Sequence, residues 1–316
     1  MNTSKFISRQ FNTVSLNCEK NTVLKTTTQT NILIDEINWY RNIPEAIKSY
    51  TPSLIDYSTD PKNPYLTISY IPHPTLSEFL LNHSEDDSLW ERIFLQIEKL
   101  FDNFSRYLGI FRVEDMRKMY ISKTEKRNEL FLNQNDIARK IYNKKSFILN
   151  GKVMKCPFIT FEENKQSIEK IIYKARVRLI HGDLCFSNML YDAVGDKIYI
   201  LDPRGDFGTK GIQGDVRYDL AKIRHSLSGY EKIINNKFDI QYNENKIDYL
   251  LFSTKEDRKL QQYWDIYLGN SIQEIKIIEA LLYLSMLPLH YENPKRQLVL
   301  YSLGTELLVN ALELGG

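Results

Sequence analysis

Four polar side chains suited to phosphate chemistry lie close together in the segment RLIHGDLCFSNMLYDAVGDKIYILDPRG: His181, Asp183, Asn188 and Asp202. Asp183 could accept a proton from a hydroxyl group. Asn188 and Asp202 offer a neutral and a charged oxygen to a hard cation such as Mg²⁺. Phosphoryl transfer requires such a set, because an aspartate orients or deprotonates the acceptor while an Asn/Asp pair holds magnesium on the nucleotide phosphates.

Two aspartates at the end of this segment are candidates for the charged metal ligand. Asp202 directly follows the apolar run KIYIL, whereas Asp206 begins a literal Asp-Phe-Gly. Asp-Phe-Gly is the magnesium-binding signature of protein kinases. The residue types alone leave both aspartates open.

The elements around these side chains are predicted to be short strands joined by loops. The apolar runs RLI, MLYD and KIYIL alternate with the polar loop HGDLCFSN and the turn AVGD. This alternation predicts three strands. Because catalytic groups are usually held by loops on a rigid scaffold, we expect the polar side chains to surround one mouth.

The first part of the chain, to about residue 70, mixes predicted strands with one helix. SRQFNTVSLN and KNTVLKTTT are rich in Val, Thr and Leu around the turn-like CEKN, which predicts a hairpin. NILIDEINWYRNI then places Leu33, Ile37 and Tyr40 on one face of an amphipathic helix. The run NPYLTISY predicts a further strand that ends near Tyr70.

Beyond a proline-marked connector, the chain is predicted to be mainly helical. Thr75-x-x-Glu78 is a capping-box pattern that opens a helix, and a second helical pattern is expected to stop at Gly109. Asn150-Gly151 predicts a two-residue hairpin turn. From about residue 217 to the end, the apolar periodicity predicts helices packed against each other, all shorter than a membrane span.

Composition limits the classes of function. The 316 residues are 42% hydrophobic and 26% charged, and 42 Lys and Arg face 40 Asp and Glu, a net charge of +2. So balanced a charge argues against a nucleic-acid or membrane surface, and a polyanionic ligand should be small. The chain start lacks the apolar core of a signal peptide, so we predict a cytoplasmic protein. Three cysteines without CxxC spacing indicate neither a disulfide framework nor a zinc site.

Two motifs in the same order resemble the aminoglycoside phosphotransferase and choline kinase family. The family pattern HxDxxxxN is matched by His181, Asp183 and Asn188, and GDVRYDLAKI is similar to its Gly-Asp-x-x-x-Asp-Leu-Ala segment through Asp215 and Asp219. This resemblance implies an α+β, two-lobed protein-kinase-like fold. It places a small β-rich N-lobe at residues 1–70 and a larger, mainly helical C-lobe at residues 71–316.

The resemblance also implies roles within a catalytic loop, residues 181–188, and a metal segment, residues 202–205. Asp183 would be the catalytic aspartate. Asn188 and Asp202 would bind magnesium, since the family's metal aspartate directly follows a strand, and the Asp-Phe-Gly at Asp206 would be a coincidence. Apart from the resemblance, His181 is expected to be structural, with its ring bonded to backbone near the metal loop. Asp219, at the start of a predicted helix, could cap that helix or anchor the catalytic loop.

In the N-lobe, the resemblance implies a lysine on a strand that reaches the nucleotide phosphates and a helix glutamate that holds it. Lys25 and Glu36 are the candidates, and their alternative is a solvated surface pair. The base of ATP or GTP would contact Ser69, Tyr70 and Ile71 in the connector. The chain departs from the pattern at the first loop, where Ser8, Arg9 and Asn12 stand in place of glycines.

The predicted partners are a nucleotide with Mg²⁺ and a small-molecule alcohol. DPRG and NGK resemble kinase-like proteins of bacterial surface-polysaccharide gene sets, which favours a sugar, polyol or amino alcohol as acceptor. Arg204 could touch an anionic group or hold a carboxylate. The glycine-poor loop keeps a catalytically weak, nucleotide-binding regulatory module as the alternative. The lack of an Ala-Pro-Glu ending argues against a conventional protein kinase.

Overall fold

The structure is a computed structural model that describes residues 12–313, and the chain forms two units within this range. The first comprises 12–79, Asp86–Ile110 and Val177–Val216, and the second comprises Leu80–Glu85, Phe111–Arg176 and 217–313. Ser8 and Arg9 of the expected glycine-poor loop lie outside the described residues. The division into lobes at residue 70 stays a prediction.

The strands are short and most are joined in hairpins. In chain order they are β1 (Asn12–Asn17), β2 (Thr22–Thr27), β3 (Leu54–Ser58), β4 (Tyr65–Ser69), β5 (Ser146–Leu149), β6 (Lys152–Lys155), β7 (Val177–Leu179), β8 (Met189–Asp192), β9 (Lys197–Ile200), β10 (Asp206–Phe207), β11 (Thr209–Lys210), β12 (Gln213–Asp215), β13 (Phe238–Tyr242) and β14 (Lys246–Leu251).

The helices vary in length from four residues to 20. In chain order they are α1 (Thr30–Asn42), α2 (Glu45–Lys48), α3 (Leu76–Asn82), α4 (Asp87–Ser105), α5 (Val113–Arg117), α6 (Lys123–Gln134), α7 (Asp136–Lys144), α8 (Pro157–Glu163), α9 (Lys165–Ile172), α10 (Val216–His225), α11 (Glu231–Ile234), α12 (Lys255–Leu268), α13 (Ile272–Met286) and α14 (Pro294–Glu313). No helix within residues 12–313 combines the length and hydrophobicity that a transmembrane span requires.

The first unit begins with a four-stranded antiparallel sheet in the order β1-β2-β4-β3. The predicted hairpin around CEKN is confirmed, since β1 and β2 flank it. The predicted face of α1 is also confirmed, because Leu33, Ile37 and Tyr40 are all buried. In β2 the usual preference is reversed: Leu24 is exposed, whereas Lys25 is buried. A buried lysine needs a partner, so this position points to function.

The segment that carries the candidate catalytic residues forms three strands, as the sequence predicts. β7 pairs with β12, and β8 pairs with β9 across the AVGD turn. The expected end of α4 at Gly109 is wrong, because the helix ends at Ser105. The backbone of Tyr107 instead accepts a hydrogen bond from Leu179, and Gly109 donates one to Val177. Pairing with β7 therefore takes these residues out of the helix.

The second unit packs its helices around α13 and α14, which are apolar on most sides, as the sequence predicts. The hairpin at Asn150-Gly151 is confirmed, with both residues at positive φ. The expectation of helices alone after residue 217 is wrong. β13 and β14 join β5 and β6 in a sheet of the order β13-β14-β5-β6. Alternating apolar residues on either side of Asn243-Glu244-Asn245 form this hairpin.

Candidate active site

A buried lysine between two carboxylates forms the first part of the site. Lys25 lies on β2, and its Nζ is 2.7 Å from Glu36 Oε2 on α1 and 3.0 Å from Asp202 Oδ1. The Lys25 and Glu36 side chains are 10% and 4% exposed, whereas that of Asp202 is 53% exposed. Lys25 and Glu36 therefore do not form the solvated surface pair that the sequence left open.

The protonation of this group follows from burial and charge. Burial disfavours the charged form of Lys25, but the carboxylates of Glu36 and Asp202 outweigh burial and raise its pKa. Burial raises the pKa of Glu36, and the nearby Asp202 adds to this while Lys25 opposes it. The lysine is thus a fixed cation at neutral pH. It can exchange a carboxylate contact for a phosphate oxygen without changing charge.

His181 connects the catalytic loop to the strand that precedes Asp202. Its Nδ1 accepts a hydrogen bond from the backbone of Asp183 at 3.2 Å, and its Nε2 lies 2.7 Å from the carbonyl oxygen of Leu201. Nε2 must therefore carry the proton and donate it. Burial lowers the pKa of His181 to about 4, so the ring is neutral at physiological pH.

Helix α1 supports the same loop from another direction. The indole Nε1 of Trp39 donates to the carbonyl oxygen of Ile180 at 2.8 Å. The Trp39 ring also meets the His181 ring edge to face, with centroids 5.9 Å apart. The helix that holds Glu36 thus also positions the residue before the catalytic loop. Trp39 was not among the site residues predicted from the sequence, where its only signal is its place on the apolar side of α1.

Asn188 is oriented by the loop that it ends. Its Nδ2 donates to the carbonyl oxygen of Asp183 at 2.9 Å, and its own carbonyl accepts from the backbone of Leu201 at 2.9 Å. The first bond fixes the side-chain amide, so that its Oδ1 remains the atom available to a cation, and the second holds the Asn188 backbone against the chain after β9. The catalytic loop and the end of β9 are in this way joined through both His181 and Asn188.

Asp183 lies beside the guanidinium of Arg204. The Asp183 Oδ2 is 3.4 Å from the Arg204 Nη2, and the backbone of Arg204 donates to the carbonyl oxygen of His181 at 2.9 Å. Gly182 permits this approach, because its φ is 82° and a Cβ there would lie 2.8 Å from the Cβ of Arg204. The position of Arg204 matches the alternative in which it holds a carboxylate.

The two competing aspartates occupy different environments. Asp202, two residues after the end of β9, has a left-handed φ of 58°, and its carboxylate contacts Lys25. Asp206 begins β10 and lies opposite Lys210 in the two-stranded hairpin of β10 and β11. Only Asp202 of these two contacts Lys25. The assignment of Asp202 as the metal ligand stays a prediction, which this geometry favours.

Of the three connector residues, Ser69 ends β4, and Tyr70 and Ile71 follow it. Ser69 Oγ accepts a hydrogen bond from the backbone of Ser53, and the backbone N–H of Tyr70 donates to Asn21 at 2.9 Å. Within residues 12–313, the backbone N–H of Ile71 has no hydrogen-bond acceptor. Ile71 thus offers a donor of the kind that a nucleotide base requires.

The second motif spans the boundary between the two units. Asp215 ends β12 in the first unit, and Asp219 lies in the first turn of α10 in the second unit. Both are fully buried. Asp219 is not the N-terminal cap of α10, which was one of its two expected roles, because the helix begins at Val216 and already contains it.

The oxygen donors fit magnesium better than a metal that needs many acidic ligands. Within the described residues 12–313, no cluster of three or more His, Cys, Asp or Glu side chains could hold a metal ion. Asn188 and Asp202 are one amide and one carboxylate at the ends of connected loops. Mg²⁺ commonly takes one or two such side chains and completes its octahedron with water and substrate phosphates.

Comparisons with known proteins identify the fold. No family model matches the sequence, and no relative is found among curated proteins. Solved structures of small-molecule kinases nevertheless superimpose on nearly the whole chain.

Three of these structures illustrate the similarity. Aminoglycoside phosphotransferase APH(4)-Ia, in ternary complex with AMP-PNP and hygromycin B, shares 8% identity at a TM-score of 0.53, covering 97% of this chain and 93% of that chain. ADP-bound APH(2'')-Ib shares 15% sequence identity at a TM-score of 0.52, and the match covers 98% of this chain and 94% of that chain. Choline kinase LicA from Streptococcus pneumoniae shares 11% sequence identity at a TM-score of 0.53, and the match covers 98% of this chain and 94% of that chain. The expected kinase-like α+β fold is confirmed.

Proposed function

We propose that this chain transfers the γ-phosphate of ATP or GTP, with Mg²⁺, to a hydroxyl group of a small molecule. The observation that carries the proposal is the contact of Lys25 with both Glu36 and Asp202, at 2.7 and 3.0 Å. Phosphotransferases of this fold need a strand lysine for the nucleotide phosphates, a helix glutamate to hold it and a metal aspartate. The three side chains come from three separate parts of the sequence.

Nucleotide binding follows from the charges and donors of the first unit. Lys25 would bind the α- and β-phosphates, because its ammonium group is cationic and fixed in direction by Glu36. The free N–H of Ile71 would donate to the base, and Ser69 and Tyr70 would form the rest of its edge. These contacts do not distinguish adenine from guanine, so the proposed nucleotide is ATP or GTP.

Magnesium would be held by Asn188 Oδ1 and the Asp202 carboxylate. When bound, it would neutralise the negative charge of the β- and γ-phosphates. Contacts within the protein hold both of these metal-binding side chains in place. Asn188 is fixed by its bond to Asp183, and Asp202 by its left-handed backbone and its contact with Lys25.

Asp183 would act on the acceptor. One of its carboxylate oxygens would accept the hydroxyl proton as the acceptor oxygen bonds to the γ-phosphorus. The bond from that phosphorus to the bridging oxygen breaks, and the nucleoside diphosphate leaves. Arg204 would direct this carboxylate toward the acceptor, because its guanidinium lies 3.4 Å from Oδ2.

The chemistry of the structurally similar proteins supports a small alcohol as acceptor. They include a phosphotransferase in complex with AMP-PNP and hygromycin B, a phosphotransferase bound to ADP, and a choline kinase. We extend to this chain only the shared chemistry of a nucleotide and a hydroxylated small molecule. Within that class, the DPRG resemblance favours a sugar, polyol or amino alcohol, including precursors of bacterial surface polysaccharides.

A binding assay and a turnover assay together test this function. Calorimetry should show ADP binding that strengthens when Mg²⁺ is added, and a coupled assay with pooled sugars, polyols and amino alcohols should show ADP release. Asp183→Asn should retain the binding and lose the release. Binding by the wild type without release on any pool would favour the regulatory module. No binding of ADP or GDP at all would contradict both functions.

A further inference from the structure

The loop after Asp202 approaches helix α1 more closely than side chains normally allow. Gly205 has a φ of 63°, and a Cβ at this position would overlap the backbone carbonyl of Asp35. The N–H of Gly211 closes the loop by donating to the carbonyl oxygen of Gly205 at 2.9 Å. Glycine is therefore required here, because the backbone of the loop touches the backbone of the helix.

The same two segments are joined by an ion pair. Lys210 Nζ, at the end of β11, is 2.8 Å from Asp35 Oδ1 on α1. The Asp35 side chain is 9% exposed and that of Lys210 is 63% exposed. Lys210 is also the strand partner of Asp206. The lysine thus contacts a buried carboxylate and is the cross-strand neighbour of the aspartate of the Asp-Phe-Gly sequence.

Both ends of this contact are next to proposed site residues. Asp35 directly precedes Glu36, which holds Lys25, and Gly205 belongs to the segment that starts at Asp202. Movement of α1 away from the loop would therefore pull Glu36 and Asp202 apart. The Lys25 ammonium, which contacts both, would lose one of them.

We propose that Asp35 and Lys210 are a positioning pair that holds helix α1 against the β10–β11 hairpin and so sets the spacing between Glu36 and Asp202. The role as an aid to nucleotide binding rests on the function proposed above. The mechanical role does not, because it concerns contacts within the protein alone. Asp206 then contributes negative charge opposite Lys210 and serves this contact, not the metal.

In a double-mutant cycle of this pair, the two single substitutions should have unequal effects. Lys210→Met leaves a buried carboxylate without its cation and beside Asp206, whereas Asp35→Asn removes that charge and leaves an exposed lysine with Asp206. Burial already raises the pKa of Asp35, and Asp206 adds to this. The lysine variant should therefore be the worse one. The double variant should resemble Asp35→Asn, because it buries no unpaired charge.

Amide hydrogen exchange of the nucleotide-free protein measures how firmly the pair holds helix α1 against the β10–β11 hairpin. In Asp35→Asn, amides of 206–211 and of α1 should exchange about two- to fivefold faster, as expected for a partly exposed ion pair. In Lys210→Met, the amides of both segments should exchange faster than they do in Asp35→Asn. Lys210→Arg, which keeps the positive charge, should retain the wild-type exchange rates. Lys48→Met, which removes an exposed ion pair with Glu45, is the matched control and should leave both segments unchanged.

Three results would overturn the proposal. One is equal acceleration across all amides, which indicates a general loss of stability. Another is acceleration of the hairpin with none in α1. The third is strict additivity of the two single variants in the double variant.

A titration of Mg²⁺ into the protein with ADP supplies the functional readout. Lys210→Met should need several times more Mg²⁺ for half-maximal ADP binding, and Lys210→Arg should not. An unchanged Mg²⁺ requirement would contradict the link to the site. A wild type that binds no nucleotide would remove the proposed function, while the exchange data would still decide whether the pair holds α1.

Discussion

Replacement of Lys25 by methionine tests the buried core of the site most sharply. Methionine keeps the length of the side chain and removes its charge. Glu36 would then be a buried carboxylate without a cation, beside a second carboxylate at Asp202. Removal of one partner from a buried ion pair costs about 3–5 kcal/mol. Glu36→Gln should cost less, because Lys25 keeps its contact with Asp202.

The pH dependence of stability provides a second signature of the same variant. Burial raises the pKa of Glu36, and Lys25 is the group that opposes this rise. Without Lys25, the folded protein must hold a proton on Glu36 that the unfolded chain releases above pH of about 4.3. The folded state then binds more protons, so the free energy of unfolding falls as pH rises. The slope should approach about 1.4 kcal/mol per pH unit.

Urea denaturation between pH 5.5 and 8 would measure both effects. The experiment compares the wild type with Lys25→Met, Glu36→Gln and the double variant. The double variant should be more stable than Lys25→Met at pH 8 and should lack its steep slope. If Lys25→Met were as mild as the exposed control Lys48→Met and independent of pH, the buried ion pair would not exist as described.

Three further predictions concern the reaction and the loop that follows Asp202. Asp183→Asn should retain ADP binding in calorimetry while turnover of the coupled assay falls by on the order of 10²–10⁴, the usual share of a general base. Asp202→Ala should abolish the strengthening of ADP binding by Mg²⁺, whereas Asp206→Ala should change it much less; the opposite ranking would reverse the metal assignment. Gly205→Ala should lower the melting temperature and weaken ADP binding together, because its Cβ would overlap the carbonyl of Asp35; an unchanged melting temperature would refute the close approach.

The sequence predicted those parts of the site that depend on local patterns. The strands around HGDLCFSN, the hairpin before Lys25 and the apolar face of α1 each follow from residue spacing over a few positions. The capping box is an example, since Thr75 and Glu78 exchange the two expected hydrogen bonds at 3.1 and 2.7 Å. Such interactions lie within one turn of chain, so residue types determine them.

Features that depend on distant backbone contacts could not be predicted. The end of α4 is determined by hydrogen bonds to β7, and the left-handed backbone of Asp202 has no signature in its residue type. The pairing of Asp35 with Lys210 joins segments far apart in the sequence. The residue types alone do not indicate which lysine pairs with which aspartate. The only local signal is an acidic residue on a helix position that turns out to be buried.

Helix α1 explains why these distant features belong together. Asp35 contacts the hairpin after Asp202, Glu36 holds the lysine of β2, and Trp39 binds the residue before the catalytic loop. Residues 35 and 39 are one turn apart and lie on the same side of the helix. One rigid element therefore fixes Lys25, the segment that follows Asp202 and the start of the 181–188 loop. A displacement of α1 must disturb all three at once, so partial loss of its contacts should reduce nucleotide binding and turnover together.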